Sequence, residues 1–376
     1  MSKDQGIVVF SHLRWDFVYQ RPQHLLTRLA GWRRVLFIEE PWHTPGADPA
    51  WELSQPQAGV AVARLHTPLA APGFHDEHIG TFRELLPELL AGERISEYVA
   101  WLYTPLALPL AQALAPQAVV YDCMDELSAF AHAPPALLQR EDELMRWADL
   151  VFTGGPSLYR AKRDRHPSVH CFPSSVDTAH FRQARAGMAE PPDQAELPGP
   201  RLGFYGVIDE RVDTALLGAL ASAHPEWQLV IIGPVVKIDP ATLPRQPNIH
   251  YLGQRSYQEL PAYLAGWDAC LLPFARNEAT RFISPTKTLE YMAAELPIVS
   301  TPIADVAEPY GEIVYLGDTA EAFIGACERA LAASPDERAE RATKMRAVLA
   351  RTSWDTTAAA MRDLIEQAIA AKRPGA

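Results

Sequence analysis

Short apolar runs alternate along almost the whole chain with longer stretches in which apolar residues recur every three or four positions. In the first half, Ile7–Phe10, Val35–Ile38, Val99–Tyr103, Ala118–Tyr121, Leu150–Thr153 and His170–Pro173 are the expected strands. Several are apolar throughout, as strands covered on both faces must be. Between them "RPQHLLTRLA" and "PALLQREDELMRWA" have the spacing of amphipathic helices. In the second half the runs are "RLGFYG", "WQLVIIG", "NIHYLG", "DACLLPF", "PIVST" and "GEIVYLG", again separated by helical stretches. This alternation predicts an α/β fold with two Rossmann-like, doubly wound parallel sheets.

The break between the halves is compositional. "QARAGMAEPPDQAELPGP" holds four prolines and almost no bulky apolar residue, and reads as a surface linker. The expected organisation is a first domain at 1–182, a linker at 183–200 and a second domain at 201–352. The amphipathic segment at 353–376 is expected to pack back on the first domain. In doubly wound sheets ligands bind beyond the carboxyl ends of the strands, so two such domains facing each other would enclose a cleft.

Composition narrows the function classes. The chain has 376 residues, 48% apolar and 21% charged, enough for two ordinary globular domains. No apolar run approaches the eighteen residues of a membrane span, and "MSKDQGIVVFSH" lacks a signal-peptide pattern, so a cytoplasmic protein is expected. A net charge of −12 argues against nucleic acid as a partner. The cations of "RLAGWRRV" (Arg28, Arg33 and Arg34, beside Trp32) admit weak peripheral contact with an anionic membrane. Cations suited to a helix end are the preferred reading. The four cysteines form no CxxC and read as buried thiols.

The chemistry concentrates in "RFISPTKTLEYMAAELPIVST", residues 281–301. Ser284 is expected as a helix N-cap, with Pro285 at the first helical position and Lys287 at the third. A lysine in a first turn is mildly unfavourable against the helix dipole, unless an anion binds there. Open amides, Thr286 and Lys287 predict a phosphate site. Glu290, one turn on, can accept hydrogen bonds from vicinal hydroxyls such as those of ribose. Alternatively, Lys287 and Glu290 form a plain surface ion pair.

"RLGFYGVIDERVD", residues 201–213, supplies a second cation at the same expected sheet edge. Gly206 lets the backbone approach a ligand, and Glu210 and Arg211 lie in the following turn. Arg211 and Lys287 together would clamp a diphosphate and stabilise charge appearing on it; alternatively, Glu210, Arg211 and Asp213 only solvate a turn and cap the next helix. In the first half, "SHLRWDFVYQ" places His12, Arg14, Trp15 and Asp16 after a strand, without a GxGxxG motif. Trp15 and Tyr19 could stack on the face of a ligand ring or equally be core or loop anchors. Asp122, Asp125 and Glu126 of "YDCMDE" follow another strand, with neither Asp-x-Asp nor histidine-pair spacing, so no metal is predicted. His75 and His78 read as surface loop residues.

These motifs resemble the GT-B glycosyltransferases, especially the retaining family 4 group. "GFYGVIDERVD", "VIIGP", "IHYLG" and "SPTKTLEYMAAELPIVST" carry the resemblance in the second half. "FSHLRWDFVYQRPQHLLTRLA", "VVYDCMDELSAF" and "CFPSSVDTAHF" extend it, toward a bacterial branch linked with cell-surface polysaccharide synthesis. The resemblance implies sugar transfer from a nucleotide diphosphate sugar to a hydroxyl acceptor, with no cofactor or metal. Arg211 and Lys287 would hold the diphosphate, Ser284, Pro285 and Thr286 the same group through the helix start, and Glu290 the ribose. Gly253 and Arg255 would lie near the base, and the first domain would bind the acceptor. The family commonly has two glutamates seven residues apart. Here the first position is Phe282, which leaves Asn277 and Glu278 as sugar-contacting candidates. A nucleotide-sugar epimerase of the same architecture and a non-catalytic nucleotide-sugar-binding protein are the alternatives.

Overall fold

The computed structural model describes residues 4–131 and 133–372. It divides into two compact units: one runs to Pro173 and resumes at Trp354, and the other spans Ser174–Ser353.

The first unit holds a nine-stranded sheet: β1 (Gln5–Ser11), β2 (Arg34–Glu39), β3 (Trp42–His43), β4 (Ala50–Gln57), β5 (Val60–Thr67), β6 (Glu97–Leu102), β7 (Ala118–Cys123), β8 (Leu150–Thr153) and β9 (Val169–Cys171). The order is β3-β5-β2-β1-β6-β7-β8-β9, all parallel, with β4 added antiparallel to β5. β1 is central, so its residues Ile7–Phe10 are completely buried. The β4–β5 hairpin is not among the expected strands. β4, "AWELSQPQ", is polar and exposed along most of its length and includes a proline, which an edge strand tolerates.

Ile7, Val9, Val35, Phe37, Val99 and Trp101 form the sheet side of the first core. Against them pack Leu25, Leu26 and Leu29 of the helix Arg21–Leu29, and Trp354, Met361 and Ile365 of the C-terminal helix Trp354–Lys372. In that last helix Trp354, Ala358, Met361, Ile365 and Ile369 recur at four and three, one buried stripe. His24 stacks on Trp354 at 4.8 Å, and Arg28 Nε donates to Asp355 at 2.8 Å. These contacts tie the end of the chain to its first helix.

The second unit holds six parallel strands: β10 (Arg201–Tyr205), β11 (Gln228–Ile232), β12 (Ile249–Gly253), β13 (Ala269–Leu272), β14 (Ile298–Ser300) and β15 (Tyr315–Leu316). Their order is β12-β11-β10-β13-β14-β15. Counted within the unit, that is 3-2-1-4-5-6, the doubly wound order whose ligand site lies between the first and fourth strands. Here those strands are β10 and β13.

The expected linker is corrected by this division. The units part after Pro173, and residues 183–200 belong to the second unit. Gln194 is fully buried there: it donates to the Tyr263 carbonyl at 2.9 Å and accepts from Trp267 Nε1 at 2.8 Å. Proline-rich composition gives no sign of the short helix Pro192–Ala195 within the segment or of the polar anchors that dock it.

Candidate active site

β10 ends at Tyr205, and the next residue, Gly206, has φ +145. Few side chains tolerate that backbone conformation. Nor is there room for one: a Cβ on Gly206 would lie 2.2 Å from Lys287 Cε. Gly233, after β11, has φ +144, and a Cβ there would meet the Gly206 carbonyl oxygen at 1.8 Å. Two neighbouring strands therefore end in bare backbone, and the lysine side chain crosses the first of them. Its Nζ also stands 6.0 Å from the centre of the Phe204 ring.

Lys287 comes from the helix Thr286–Ala293, which follows β13. Its N-cap is Pro285, not Ser284 as expected, so Lys287 is the second helical residue instead of the third. Proline has no side-chain acceptor, and no side chain of the N-cap bonds the first amides. A helix start without such a cap suits an anion. Glu290, one turn on, is not a surface partner for Lys287: it is buried and accepts from Tyr205 Oη at 2.6 Å. Burial pushes its carboxyl above the usual range. The bond from Tyr205, the Lys287 charge and a bond from Thr286 all pull the other way.

Arg211 lies in the turn after β10, and its guanidinium is held by Asp209: Nε to Oδ1 at 3.0 Å and Nη2 to Oδ2 at 2.8 Å. Asp209 is itself buried, so the arginine is clamped from beneath. The turn is stitched to both neighbours. On one side Ile208 bridges Val235; on the other Val212 bridges Phe274, and Ala275 N donates to the Arg211 carbonyl at 2.8 Å. Both cations thus stand at the carboxyl edge of β10 and β13, the switch point of the sheet.

Other expected residues take different places. Asn277 caps the short turn of helix after it and donates Nδ2 to the Glu210 carbonyl at 2.8 Å, so it joins the two loops. Glu278 is exposed and lies 3.5 Å from Arg281, whose guanidinium covers the Phe282 ring at 5.1 Å. Gly253, at φ +72, ends β12 and accepts from Gly233 N at 2.8 Å. The Arg255 guanidinium is taken up by Asp193 at 2.5 Å and the Tyr263 hydroxyl at 2.6 Å.

In the first unit, Trp15 is core, edge-on to Phe37 at 5.1 Å, and offers no open face for stacking. His12 and Arg14 are half-buried, Asp16 is exposed and Asp125 is half-buried. Asp122 is fully buried in a two-bond ion pair with Arg21, at 2.9 and 3.2 Å. Glu126 pairs with Lys162 at 2.7 Å, which also holds Glu141 at 2.7 Å. His78, expected on the surface, is buried and bonded to the Ala71 carbonyl at 2.9 Å. Of the basic segment, Arg33 is buried and bonds Gln117 at 2.9 Å, Arg34 bonds the Glu93 carbonyl at 2.9 Å, and Arg28 pairs with Asp355. Among the described residues no helix is long and apolar enough to cross a membrane.

Sequence reasoning missed Asp209 and Tyr205. Asp209 is two residues from Arg211, a spacing that reads as turn solvation. Tyr205 and Glu290 are 85 residues apart, so no local pattern joins them.

Residues 199–333 match the family described as Glycosyl transferases group 1. The chain is 27% identical over 299 residues, 72% of each protein, to TuaH of Bacillus subtilis (strain 168), a glycosyltransferase whose name assigns it to teichuronic acid biosynthesis. In fold it is similar to sucrose-phosphate synthase from Thermosynechococcus elongatus, with TM-score 0.74, 17% identity, and 98% of this chain and 100% of that one covered. It is also similar to an E. coli structure described as trehalose-6-phosphate bound with UDP-2-fluoro glucose, with TM-score 0.71, 14% identity, and 96% of this chain and 99% of that one covered. The protein is a glycosyltransferase of the GT-B architecture, acting on a nucleotide-sugar donor and an acceptor. Its second unit carries the glycosyl transferases group 1 domain.

Proposed function

We propose that the protein transfers a hexosyl group from a nucleoside diphosphate sugar to an acceptor hydroxyl in the assembly of a cell-surface polysaccharide, with retention of configuration and without a metal. The observation that carries the donor site is the Lys287 side chain lying across Gly206 at the sheet's switch point. The polysaccharide reading is supported by the name of the Bacillus subtilis relative.

In this reading the helix start at Thr286, the Lys287 amine and the Asp209-clamped Arg211 face the diphosphate. They balance the negative charge that grows on it as the glycosidic bond breaks, the part a metal plays elsewhere. Because their positions are set before substrate arrives, little reorganisation accompanies the reaction. The departing phosphate oxygen takes the acceptor proton, so no side-chain base is required. Glu290 accepts from the ribose hydroxyls, and Gly253 lies near the base. Phe282 stands where the family commonly has a glutamate, so the sugar is recognised by other groups, with Glu278 the nearest carboxylate in sequence.

Calorimetry with UDP, GDP and dTDP tests the donor site: binding of at least one is expected, and binding of none would sink it. Lys287→Ala is expected to lower turnover by roughly 10²–10³-fold with an unchanged circular dichroism spectrum. Turnover undiminished by EDTA is the expected result for the metal-free route. Product analysis with donor alone distinguishes transfer from epimerisation.

A further inference from the structure

At the carboxyl edge of the first sheet, Glu39 ends β2 with its carboxylate fully buried. It accepts from three donors: Trp15 N at 2.7 Å, Arg64 Nε at 2.8 Å and Arg14 Nη1 at 3.2 Å. Arg14 is also bonded to the carbonyls of Glu40 and Pro41. Both guanidiniums are thereby set against a single indole, with their carbons 5.4 Å (Arg14) and 5.3 Å (Arg64) from the Trp42 ring centre.

Trp42 is nevertheless 50% exposed. Its backbone is fixed, since β3 pairs with the end of β5 at His66 and Thr67, and Thr44 N donates to the Thr67 carbonyl at 2.8 Å. Among the described residues the exposed Phe, Tyr and Trp side chains are Phe17, Tyr19 and Trp42; Phe17 and Tyr19 lie in the segment between β1 and the helix Arg21–Leu29, where Tyr19 packs edge-on to His24 at 4.7 Å, and Trp42 is the most exposed of the three. One such ring would need no explanation. A buried carboxylate that positions two cations beside a solvated ring does, because burying charge is costly.

This combination suits a pyranose. Its apolar C–H face packs on an indole, and its hydroxyls accept from guanidinium N–H groups, of which an arginine has five. An aromatic side chain already fixed in place loses little freedom when it binds. We propose that Trp42, flanked by Arg14 and Arg64, is a carbohydrate subsite for the acceptor, so the enzyme selects an acceptor with a sugar ring over a plain lipid alcohol. The inference rests on the reading that the first unit takes the acceptor.

Saturation-transfer NMR on the full chain tests it, with methyl β-glucopyranoside and methyl β-glucuronide as ring probes and hexanol as the apolar alcohol. Both glycosides are expected to receive saturation, and hexanol none. Trp42→Ala should weaken glycoside binding by roughly tenfold. Trp42→Phe, which keeps an aromatic face, should retain part of it, and Leu138→Ala, an exposed apolar change on a distant helix, should leave it intact. Glycoside signals equal in Trp42→Ala and wild type, or absent from wild type, overturn the subsite. Saturation of hexanol that Trp42→Ala abolishes overturns the sugar selectivity. UDP calorimetry on the same samples separates the failures: UDP bound without a glycoside signal sinks the subsite alone, and no nucleotide bound sinks the donor reading as well.

Discussion

The Lys287 side chain occupies the space that any residue larger than glycine would need at position 206: a Cβ there would lie 2.2 Å from Cε and 2.8 Å from Nζ. Gly206→Ala therefore has two effects. It strains a backbone at φ +145, at a cost of about 1–3 kcal/mol, and it pushes the amine off its seat. The expected outcome is a lowered melting temperature together with a loss of kcat/KM. Because both changes disturb one placement, Gly206→Ala with Lys287→Ala should cost less turnover than the two single losses combined. A double-mutant cycle on kcat/KM checks this; strict additivity would mean that the two residues act separately.

The clamp on Arg211 makes a second prediction. Asp209 presents two carboxylate oxygens to Nε and Nη2, whereas asparagine presents one oxygen and a donor. Asp209→Asn should leave Arg211 in the chain but poorly aimed. The expected result is about a tenfold rise in KM for the nucleotide sugar, on the scale of one lost charge-assisted bond. A melting curve measured alongside separates this from general loosening. If KM is unchanged, Arg211 does not depend on its clamp.

These partners show where the sequence was readable and where it was not. Gly206 and Lys287 were legible because each is a residue type that its position otherwise disfavours. The strand positions were legible because buried parallel strands leave continuous apolar runs; their order within each sheet was not. Tyr205 and Asp209 carry no such mark; only the folded chain shows what they touch. Trp42 lies in a two-residue strand among polar residues, too short for any periodicity. The segment at 183–200 misled for the opposite reason. Its composition is that of a linker, yet one buried amide, Gln194, holds it to the second unit.

Asp122 illustrates an acidic residue at a strand end that serves stability. Its carboxylate meets Arg21 Nη2 at 2.9 Å and Nε at 3.2 Å, and Arg21 Nη1 goes on to the Phe172 carbonyl at 2.7 Å. Both side chains are almost completely out of water. Asp122→Ala leaves a buried, uncompensated guanidinium, and should destabilise the protein by about 3–5 kcal/mol in urea denaturation. Replacing the pair together, Arg21→Met with Asp122→Leu, should recover much of that loss, since apolar packing often matches a buried ion pair. A loss below about 1 kcal/mol for the single change would be the value of an exposed pair and would contradict the burial.

Glu290 sets function against stability, and pH separates them. Burial lifts its carboxyl above the ordinary 4.5, and the bonds from Tyr205 and Thr286 and the Lys287 charge offset this only in part. The folded protein therefore holds this proton more tightly than the unfolded chain does. Its contribution is fully present below about pH 4.5 and is lost as pH rises through the folded value, above which the penalty is constant. Glu290→Gln removes the titration and keeps an oxygen for the Tyr205 hydroxyl. In urea denaturation between about pH 4 and pH 8, the variant should match wild type at the acid end and become the more stable protein toward neutrality. Its affinity for the nucleotide sugar should fall over the same range, because a neutral amide accepts more weakly from ribose hydroxyls than a carboxylate does. A variant that is less stable than wild type at neutral pH would show that the carboxylate stabilises the fold, and would reverse the sign of this account.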